Sequence, residues 1–373
     1  MNASAAKLAV VFGAPSPEHD VSILTGLQAS HALAAAGRDV VGIYWTKTGD
    51  WFRVGPTLEP ADFVDGVPRG AEPVRLVVGG DERGFVTTGR MGRGRPVAVD
   101  VVVNGCHGVP GEDGTLQGAL DLAGIAYTGP SAASAALGMD KVAFAGVVEA
   151  AGLPALPRVL LRRTTTEVAF GGPYVVKPRF GGSSIGVEVV KDLQTAVARL
   201  SANVHLAAGA VLEPYRPDLY DLNVAVRAWP EAELSAVERP LRTIGSGEIL
   251  GYSDKYVGRE GMASAPRELP AAMTAEVAEA LRVAALELVG LVDVRGVARI
   301  DFLSDGDQLF VNEVNTIPGS LGRHLWVDPA LPFIELLDGM VAEALARPTA
   351  RHAAEGADGT VLRGAGGIAG KLA

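Results

Sequence analysis

Short apolar runs alternate with a longer amphipathic segment at the start of the chain. Residues 8–12 and 40–44 read as buried strands, and the spacing predicts a helix from about residue 21 to 36 between them. Residues 99–104 read as a further buried strand, while residues 47–96 are richer in Gly, Pro and charge and predict hairpins and loops. Strand, helix and strand in this order are typical of an α/β domain with an open parallel sheet.

The later pattern predicts two further domains and a tail. A helix begins near Asp140 and ends before Gly152, which favours a domain boundary in this region. A strand that ends at Lys177 follows, then a Gly/Ser loop and another strand. We predict an α/β fold, α+β in parts, with an N-terminal domain over residues 1–138, a central domain over 139–213, a C-terminal domain over 214–348 and a flexible tail over 349–373.

The most informative segment is VARIDFLSDGDQLFVNEVNTIPG, residues 297–319. Strand alternation puts Arg299 and Asp301 on one face of a first strand, and Glu313 and Asn315 on one face of a second. Pairing the strands through a turn at residues 304–307 would gather two carboxylates, an amide and a guanidinium. Hard oxygen ligands suit Mg²⁺ shared with substrate phosphates. The alternative is a two-stranded surface with scattered polar residues.

Composition narrows the function classes. The chain has 373 residues and a net charge of −10, which argues against nucleic acid as a partner. Cys106 is the one cysteine, so an intrachain disulfide and a thiol–metal cluster are excluded. We identify no signal peptide and no apolar run of the ~20 residues that cross a bilayer. We therefore expect a cytoplasmic protein with no membrane partner.

A second constellation combines Lys177 with the glycine-rich run at residues 181–186. Glycines let backbone N–H groups approach phosphate oxygens, and a lysine on the preceding strand adds a positive charge. Lys141, at the start of a helix, is a further candidate for a phosphate or adenine contact. The alternatives are a glycine hairpin with a surface lysine, and a solvated Lys141.

Three loops carry further candidate residues. His107 opens an acidic Gly-rich loop at the end of a predicted parallel strand, where open α/β sheets bind ligands. Asp20 is a candidate N-cap, which would leave Glu18 to bind an ammonium group. Lys255 and Tyr256 lie between glycines in a segment that predicts a mobile lid. Solvated turns and ordinary surface loops are the alternatives.

Taken together, these motifs resemble the D-alanine–D-alanine ligase family of the ATP-grasp fold. The strings HG-x-x-GEDG-x-LQG, YTG, MDK, VKP, GSS-x-G and RIDF…NE-x-N-T-x-PG occur in family order over residues 8–319. The resemblance implies a three-domain ATP-grasp fold and an ATP-dependent ligase. It also implies that ATP lies between the central and C-terminal domains.

The resemblance also implies roles for individual residues. The residues that match the family's phosphate contacts are Lys141, Lys177, Ser183, Ser184 and Gly186. Glu213 matches an adenine contact, Asp221 stands where a ribose-binding glutamate is usual, and Lys255 would help neutralise a phosphate or the second substrate. The residues that match the ligands of two Mg²⁺ ions, for which Mn²⁺ is an alternative, are Asp301, Glu313 and Asn315.

In such ligases the carboxylate of a first D-amino acid takes the γ-phosphoryl group of ATP, and the amine of a second attacks the acyl phosphate. By the match, Arg299 and the N–H of Gly319 would stabilise the oxyanion, and Glu18 with His107 would bind the first substrate. Glu18, Ser183 and Tyr256 match a trio that closes the lid, and the tyrosine resembles the dipeptide-forming branch. The implied product is D-alanyl-D-alanine for peptidoglycan precursors, and we expect a homodimer.

The chain departs from the family after Gly319. The family has an aromatic residue or Met, then Thr-Ser, then a serine that meets the second substrate's carboxylate, whereas this chain reads SLGRHLW. Arg323 is a candidate to bind that carboxylate instead. His324 and Trp326 could shape a different pocket. The alternatives are a relative with another second substrate, serving specialised metabolism, and a non-catalytic nucleotide-binding regulator.

Overall fold

The computed structural model describes residues 3–89, 94–241, 266–349 and 354–371. Its strands form three sheets. The first sheet contains β1 Leu8–Gly13, β2 Val40–Trp45, β3 Trp51–Val54, β4 Glu72–Val77, β5 Gly84–Thr87, β6 Val101–Asn104 and β7 Ala126–Tyr127. Its order is β5-β4-β3-β2-β1-β6-β7, in which β2, β1, β6 and β7 are parallel and the remaining pairs are antiparallel. The predicted open parallel sheet is confirmed, and the predicted hairpins are its antiparallel extension.

The described part of the chain contains eight α-helices. They are α1 His19–Ala35, α2 Thr115–Ala123, α3 Ala132–Met139, α4 Lys141–Ala150, α5 Leu193–Ala202, α6 Ala275–Leu291, α7 Phe333–Ala346 and α8 Thr360–Arg363. Strand β1 is buried on both faces, since Val10 packs in a cluster with residues of α1 and α7 while Val11 packs in a cluster with α2. Gly26 of α1 is required there, because a Cβ at this position would lie 2.3 Å from the Phe12 side chain.

The start of α1 differs from the prediction. The helix begins at His19, whose N–H donates to the Ser16 carbonyl, so that Glu18 holds the N-cap position and Asp20 lies in the first turn. The predicted N-cap role of Asp20 is therefore wrong. Its carboxylate pairs instead with Lys47 at 3.1 Å on the surface. In the first turn, its negative charge still stabilises the helix by interaction with the helix dipole.

Two antiparallel sheets make up the middle and later parts of the chain. The second sheet contains β8 Val159–Leu161, β9 Tyr174–Pro178, β10 Glu188–Val190 and β11 Ala210–Pro214. The third contains β12 Tyr220–Arg227, β13 Glu233–Pro240, β14 Arg267–Glu268, β15 Val297–Ser304 and β16 Leu309–Asn315. Their orders are β10-β9-β11-β8 and β14-β13-β12-β15-β16. Helix α6 covers the apolar face of the third sheet, which leaves the other face to build a site.

Helices α3 and α4 lie between the first two sheets along the chain, and one residue, Asp140, separates them. Asp140 ends α3 and caps α4 by accepting hydrogen bonds from the Val142 and Ala143 N–H groups. Arg179, just after β9, binds the same carboxylate with two nitrogens.

Helix α7 returns from the far end of the chain to pack on the first sheet. The domain boundaries given above stay a prediction.

The described tail is short and exposed. It contains the single turn of α8 and a 3₁₀ turn at Ile368–Lys371. Across the described ranges, none of the helices has the length and apolar character that a membrane span requires.

Candidate active site

One face of the third sheet carries a row of polar side chains across four strands. The register places Asn223 of β12 opposite both Glu238 of β13 and Asp301 of β15. Asp301 in turn lies opposite Glu313 of β16. Directly opposed residues share a face of an antiparallel sheet, so these four side chains project to the same side, away from α6. Sequence reasoning identified Asp301 and Glu313 and missed the two partners on strands that it did not predict.

The neighbouring register pair supplies a guanidinium and an amide. Arg299 lies opposite Asn315, and it donates hydrogen bonds of 2.6 and 2.7 Å to the two Asp301 oxygens. The Asn315 amide donates to Asp301 Oδ2 at 2.9 Å. The predicted hairpin, with all four side chains on one surface and a turn through Gly306, is confirmed.

The donor set of this hairpin is incomplete as a metal site by itself. Among the residues that the structure describes, no group of three or more His, Cys, Asp or Glu side chains could hold a metal ion. Asp301, Glu313 and Asn315 offer two carboxylates and an amide. Such a set fits Mg²⁺, which keeps waters and takes further oxygens from bound phosphates.

Two lysines face the hairpin from the second sheet and from α4. Lys141 Nζ donates to the Gly181 carbonyl at 2.6 Å and lies 3.6 Å from Glu313 Oε2. Lys177 Nζ lies 2.7 Å from Glu213 Oε2. Burial acts to raise the pKa of Glu213, but the charges of Lys177 and Arg158 outweigh it and hold that pKa below its ordinary value. Both predicted lysines therefore lie beside carboxylates at one site.

The glycine-rich loop connects β9 to β10 and has an unusual backbone. Gly181, Ser183, Ser184 and Gly186 all have positive φ, of which the serines have 52° and 58°. A Cβ at Gly186 would lie 2.5 Å from His205 Cβ, so the loop requires glycine there. The Ser183 hydroxyl donates to the Glu18 carboxylate at the end of the β1–α1 loop. The loop thereby reaches the first sheet.

His107 and Glu112 close the site on the side of the first sheet. His107 has Nδ1 2.9 Å from the Ile317 carbonyl and Nε2 2.8 Å from Thr25 Oγ1, and burial lowers its pKa to about 4. Glu112 accepts the N–H groups of Gly108 and Ile317. Burial, and then the charge of Glu18, raises the pKa of Glu112 to about 8. The sequence motif contained Glu112, but its burial beside a second carboxylate is visible only in the structure.

The segment after Pro318 forms a left-handed turn. Ser320 and Leu321 have φ of 51° and 52° within the 3₁₀ segment Gly319–Leu325. Arg323 is exposed, with its guanidinium 5.6 Å from the centre of the Phe333 ring. His324 turns the other way, and its Nε2 lies 3.4 Å from Glu238 Oε2 in the polar row. The structure thus brings His324, and not Arg323, against the polar face of the third sheet.

These elements enclose a cleft of about 550 Å³, a volume that includes open solvent. The predicted site residues that line it are Glu18, His107, Lys141, Ser183, Arg299, Glu313, Asn315 and Gly319. Lining residues that sequence reasoning missed include Glu112, Met139 and Thr316. Asp221 lies half-exposed on the same face of β12 as Asn223. Lys255 and Tyr256 lie outside the described residues, so their roles stay predictions.

The arrangement is that of the ATP-grasp enzymes, as the solved structures indicate. The chain superimposes on the VanG D-Ala:D-Ser ligase from Enterococcus faecalis with a TM-score of 0.73 and 25% identity, covering 91% of this chain and 99% of that chain. The expected fold class is therefore confirmed.

Family models narrow the assignment further. The model of the D-ala D-ala ligase N-terminus matches residues 7–130, and that of the D-ala D-ala ligase C-terminus matches residues 135–340. A D-alanine–D-alanine ligase from Mycolicibacterium vanbaalenii is 32% identical, covering 92% of this chain and 98% of the relative. One from Bradyrhizobium sp. is 30% identical, covering 93% of this chain and 97% of the relative. The chain belongs to the D-alanine–D-alanine ligase family, whose members use ATP and a divalent metal.

Proposed function

We propose that this protein is an ATP-dependent ligase that joins two molecules of D-alanine into D-alanyl-D-alanine for peptidoglycan precursors. The observation that carries the proposal is the cleft itself, in which the Lys141 ammonium lies between the glycine-rich loop and Glu313. The Glu18–Ser183 hydrogen bond brings the first sheet to the same loop. A nucleotide triphosphate and an amino acid carboxylate would meet at this point.

The chemistry proceeds in two steps. The carboxylate of the first D-alanine attacks the γ-phosphorus of ATP, and ADP leaves from an acyl phosphate. The amine of the second D-alanine then attacks the acyl carbon, loses a proton, and inorganic phosphate leaves. Arg299 and the Gly319 N–H both line the cleft and would donate to the oxyanion, and preorganised donors of this kind contribute about 3–4 kcal/mol each.

We assign the nucleotide contacts by position. Lys141, Lys177 and the N–H groups around Ser183, Ser184 and Gly186 would hold the phosphates. Glu213 at the end of β11 would contact the adenine, and Asp221 of β12 the ribose. Lys255 and Tyr256 would complete the lid and its contact with Glu18 and Ser183.

The hairpin residues would hold the metal. Two Mg²⁺ ions, or Mn²⁺, would be bound by Asp301, Glu313 and Asn315 together with phosphate oxygens, because two carboxylates and an amide suit hard cations that share ligands with phosphate. When bound, such ions neutralise charge on the triphosphate.

A second candidate function is ligation of D-alanine to another amino acid in specialised metabolism. The contact between His324 and Glu238 favours it, because it places an imidazole beside the polar row in the segment that departs from the family. The E. faecalis structure named above is a D-Ala:D-Ser ligase, so the fold accommodates different second substrates. A non-catalytic regulator is disfavoured, since it would not need Arg299 and the carboxylates of β15 and β16 together.

The test is a phosphate-release screen of the purified protein with MgATP and each D- and L-amino acid, singly and in pairs, with the product mass measured. Release with D-alanine alone and a product of two D-alanines supports the first function. A product of D-alanine with a different amino acid supports the second function. If no amino acid or pair of amino acids stimulates phosphate release, both functions are contradicted. We also propose a cytoplasmic location, where ATP is available, and a homodimer, which light scattering would test.

A further inference from the structure

Arg158 is a buried cation at the centre of the proposed nucleotide site that the family motifs do not include. Its side chain is 6% exposed. Nε donates to Glu213 Oε1, Nη1 to the Lys141 carbonyl at 3.1 Å and Nη2 to the Asn312 carbonyl at 3.1 Å. One guanidinium therefore joins β11, the start of α4 and β16, each of which carries a proposed nucleotide or metal residue.

Glu213 has two cationic partners, Arg158 and Lys177, and Lys177 is also the proposed phosphate contact. Its Oε1 binds Arg158, and its Oε2 lies 2.7 Å from Lys177 Nζ. The Glu213 side chain is 3% exposed, so a lone counter-ion could not leave it without stranding a buried charge, which is strongly unfavourable. A lysine that contacts phosphate must nevertheless turn at least part of its donor capacity away from this carboxylate.

We propose that Arg158 is the permanent counter-ion of Glu213 and thereby frees the Lys177 ammonium to bind the phosphates of ATP. The inference rests on the proposed function, since it assumes that ATP occupies this cleft. Arg158 is a positioning residue, because it acts through Glu213 and Lys177.

The geometry suits a fixed rather than a mobile partner. A guanidinium has five N–H donors in a rigid fork, and here two nitrogens bind backbone carbonyls while the third binds Glu213. The segment before it is anchored as well, since the Val311 N–H donates to the Pro154 carbonyl at 2.8 Å beside β16. Lys177 has a second acceptor 3.5 Å away at Asn312 Oδ1, which its single ammonium can exchange for a phosphate oxygen.

The experiment measures the affinity for a non-hydrolysable MgATP analogue by calorimetry, without amino acid, in the full-length protein. The variants are Arg158→Met, Glu213→Gln and the double variant. Arg158→Met should weaken binding about tenfold or more, equivalent to 1.4 kcal/mol, because Lys177 becomes the sole counter-ion of Glu213. In the Glu213→Gln background the same change should have little effect, because no buried carboxylate then holds Lys177.

Arg158→Lys and Arg163→Met are the companion variants. Lysine keeps the charge within reach of Glu213 but loses the carbonyl fork, so it should retain nearly wild-type affinity with a lower Tm. Arg163 is exposed, and its replacement should change neither quantity. If Arg158→Met weakens binding equally in both backgrounds, or folded Arg158→Lys binds as weakly as Arg158→Met, the counter-ion role is overturned and the nucleotide site stands. If the wild-type protein does not bind the analogue, the proposed nucleotide site itself is overturned.

Discussion

The Ser183 hydroxyl donates a hydrogen bond to the Glu18 carboxylate across 165 positions of the chain. This bond joins the β1–α1 loop of the first sheet to the glycine-rich loop of the second, and both residues line the cleft. Glu18 is 8% exposed, so the contact is shielded from competing water. We expect it to hold the glycine-rich loop over the position where the proposed acyl phosphate would form.

Replacement of Ser183 by alanine should slow turnover but should have little effect on the stability of the fold. We expect kcat to fall about tenfold or more while Tm changes little, because a loop that closes a site chiefly affects the closed, reactive state. The measurement is phosphate release against D-alanine concentration, beside a thermal melt. Ser201→Ala, at an exposed position of α5, is the matched control. Wild-type turnover in Ser183→Ala would contradict the closing role.

Replacement of Glu313 by glutamine tests the metal assignment. The Glu313 side chain is 27% exposed and lies 3.6 Å from Lys141 Nζ, so an amide of the same size should leave the fold intact. Loss of a metal-binding carboxylate should lower the rate of ATP-dependent phosphate release by roughly 100-fold or more. Circular dichroism and a phosphate assay give the two readouts. Glu287→Gln, on the exposed side of α6, should behave as wild type, and a fully active Glu313→Gln would refute the role.

The hairpin was predictable because two local signals agree. Alternation fixes which face Arg299 and Asp301 share, and the Asp305–Gly306 turn sets how the strands return. Both signals are contained within a few residues. The register next to the turn, with Ser304 opposite Leu309, follows from them. The pairing of Asp301 with Glu313 depends in addition on a register shift between Asp301 and Phe302, which neither signal predicts.

The remaining contacts depend on distant parts of the chain, which local patterns do not encode. Asn223 and Glu238 join the polar row through strands that carry no comparable motif. Arg158 meets Glu213 because β8 pairs with β11, with Val159 opposite Leu212. Ser320 and Leu321 adopt a left-handed backbone conformation just before Arg323 and His324. The sequence SLGRHLW does not predict this conformation at a serine and a leucine.

Paired variants of Arg323 and His324 test the second-substrate pocket. If Arg323 binds the carboxylate of the second substrate, Arg323→Ala should raise KM for that substrate with kcat nearly unchanged. Its exposed position over Phe333 leads us to expect a change of no more than about threefold, the size of a typical exposed ion pair. We expect His324→Ala to raise that KM by about tenfold or more, because its ring meets the buried Glu238 carboxylate.

The measurement is the initial rate of dipeptide formation as the second amino acid is varied at saturating MgATP. Arg163, which is exposed, supplies the control variant Arg163→Ala. A larger KM increase in Arg323→Ala than in His324→Ala would show that Arg323, and not His324, governs binding of the second substrate.

The Glu112 carboxyl should make folding stability fall as pH rises from 4.5 to about 8. Burial, and then the charge of Glu18, raises its pKa from 4.5 to about 8 in the folded protein. Between these two values the native state holds a proton that the unfolded chain has lost, so the contribution is fully present below pH 4.5 and is lost as pH rises through about 8. His107 acts in the opposite direction, but only between its folded value of about 4 and its ordinary value of 6.5.

The informative window therefore runs from pH 6.5 to about 8, where His107 no longer contributes. Over this window the free energy of unfolding should fall by about 1–2 kcal/mol in the wild type relative to Glu112→Gln, since one pKa unit corresponds to about 1.4 kcal/mol. Urea unfolding at several pH values measures it. The slope is the readout, because an amide in place of the Glu112 carboxyl would face the Gly108 or Ile317 N–H and lower stability at every pH. Parallel curves for the two proteins would show that Glu112 is already ionised at neutral pH.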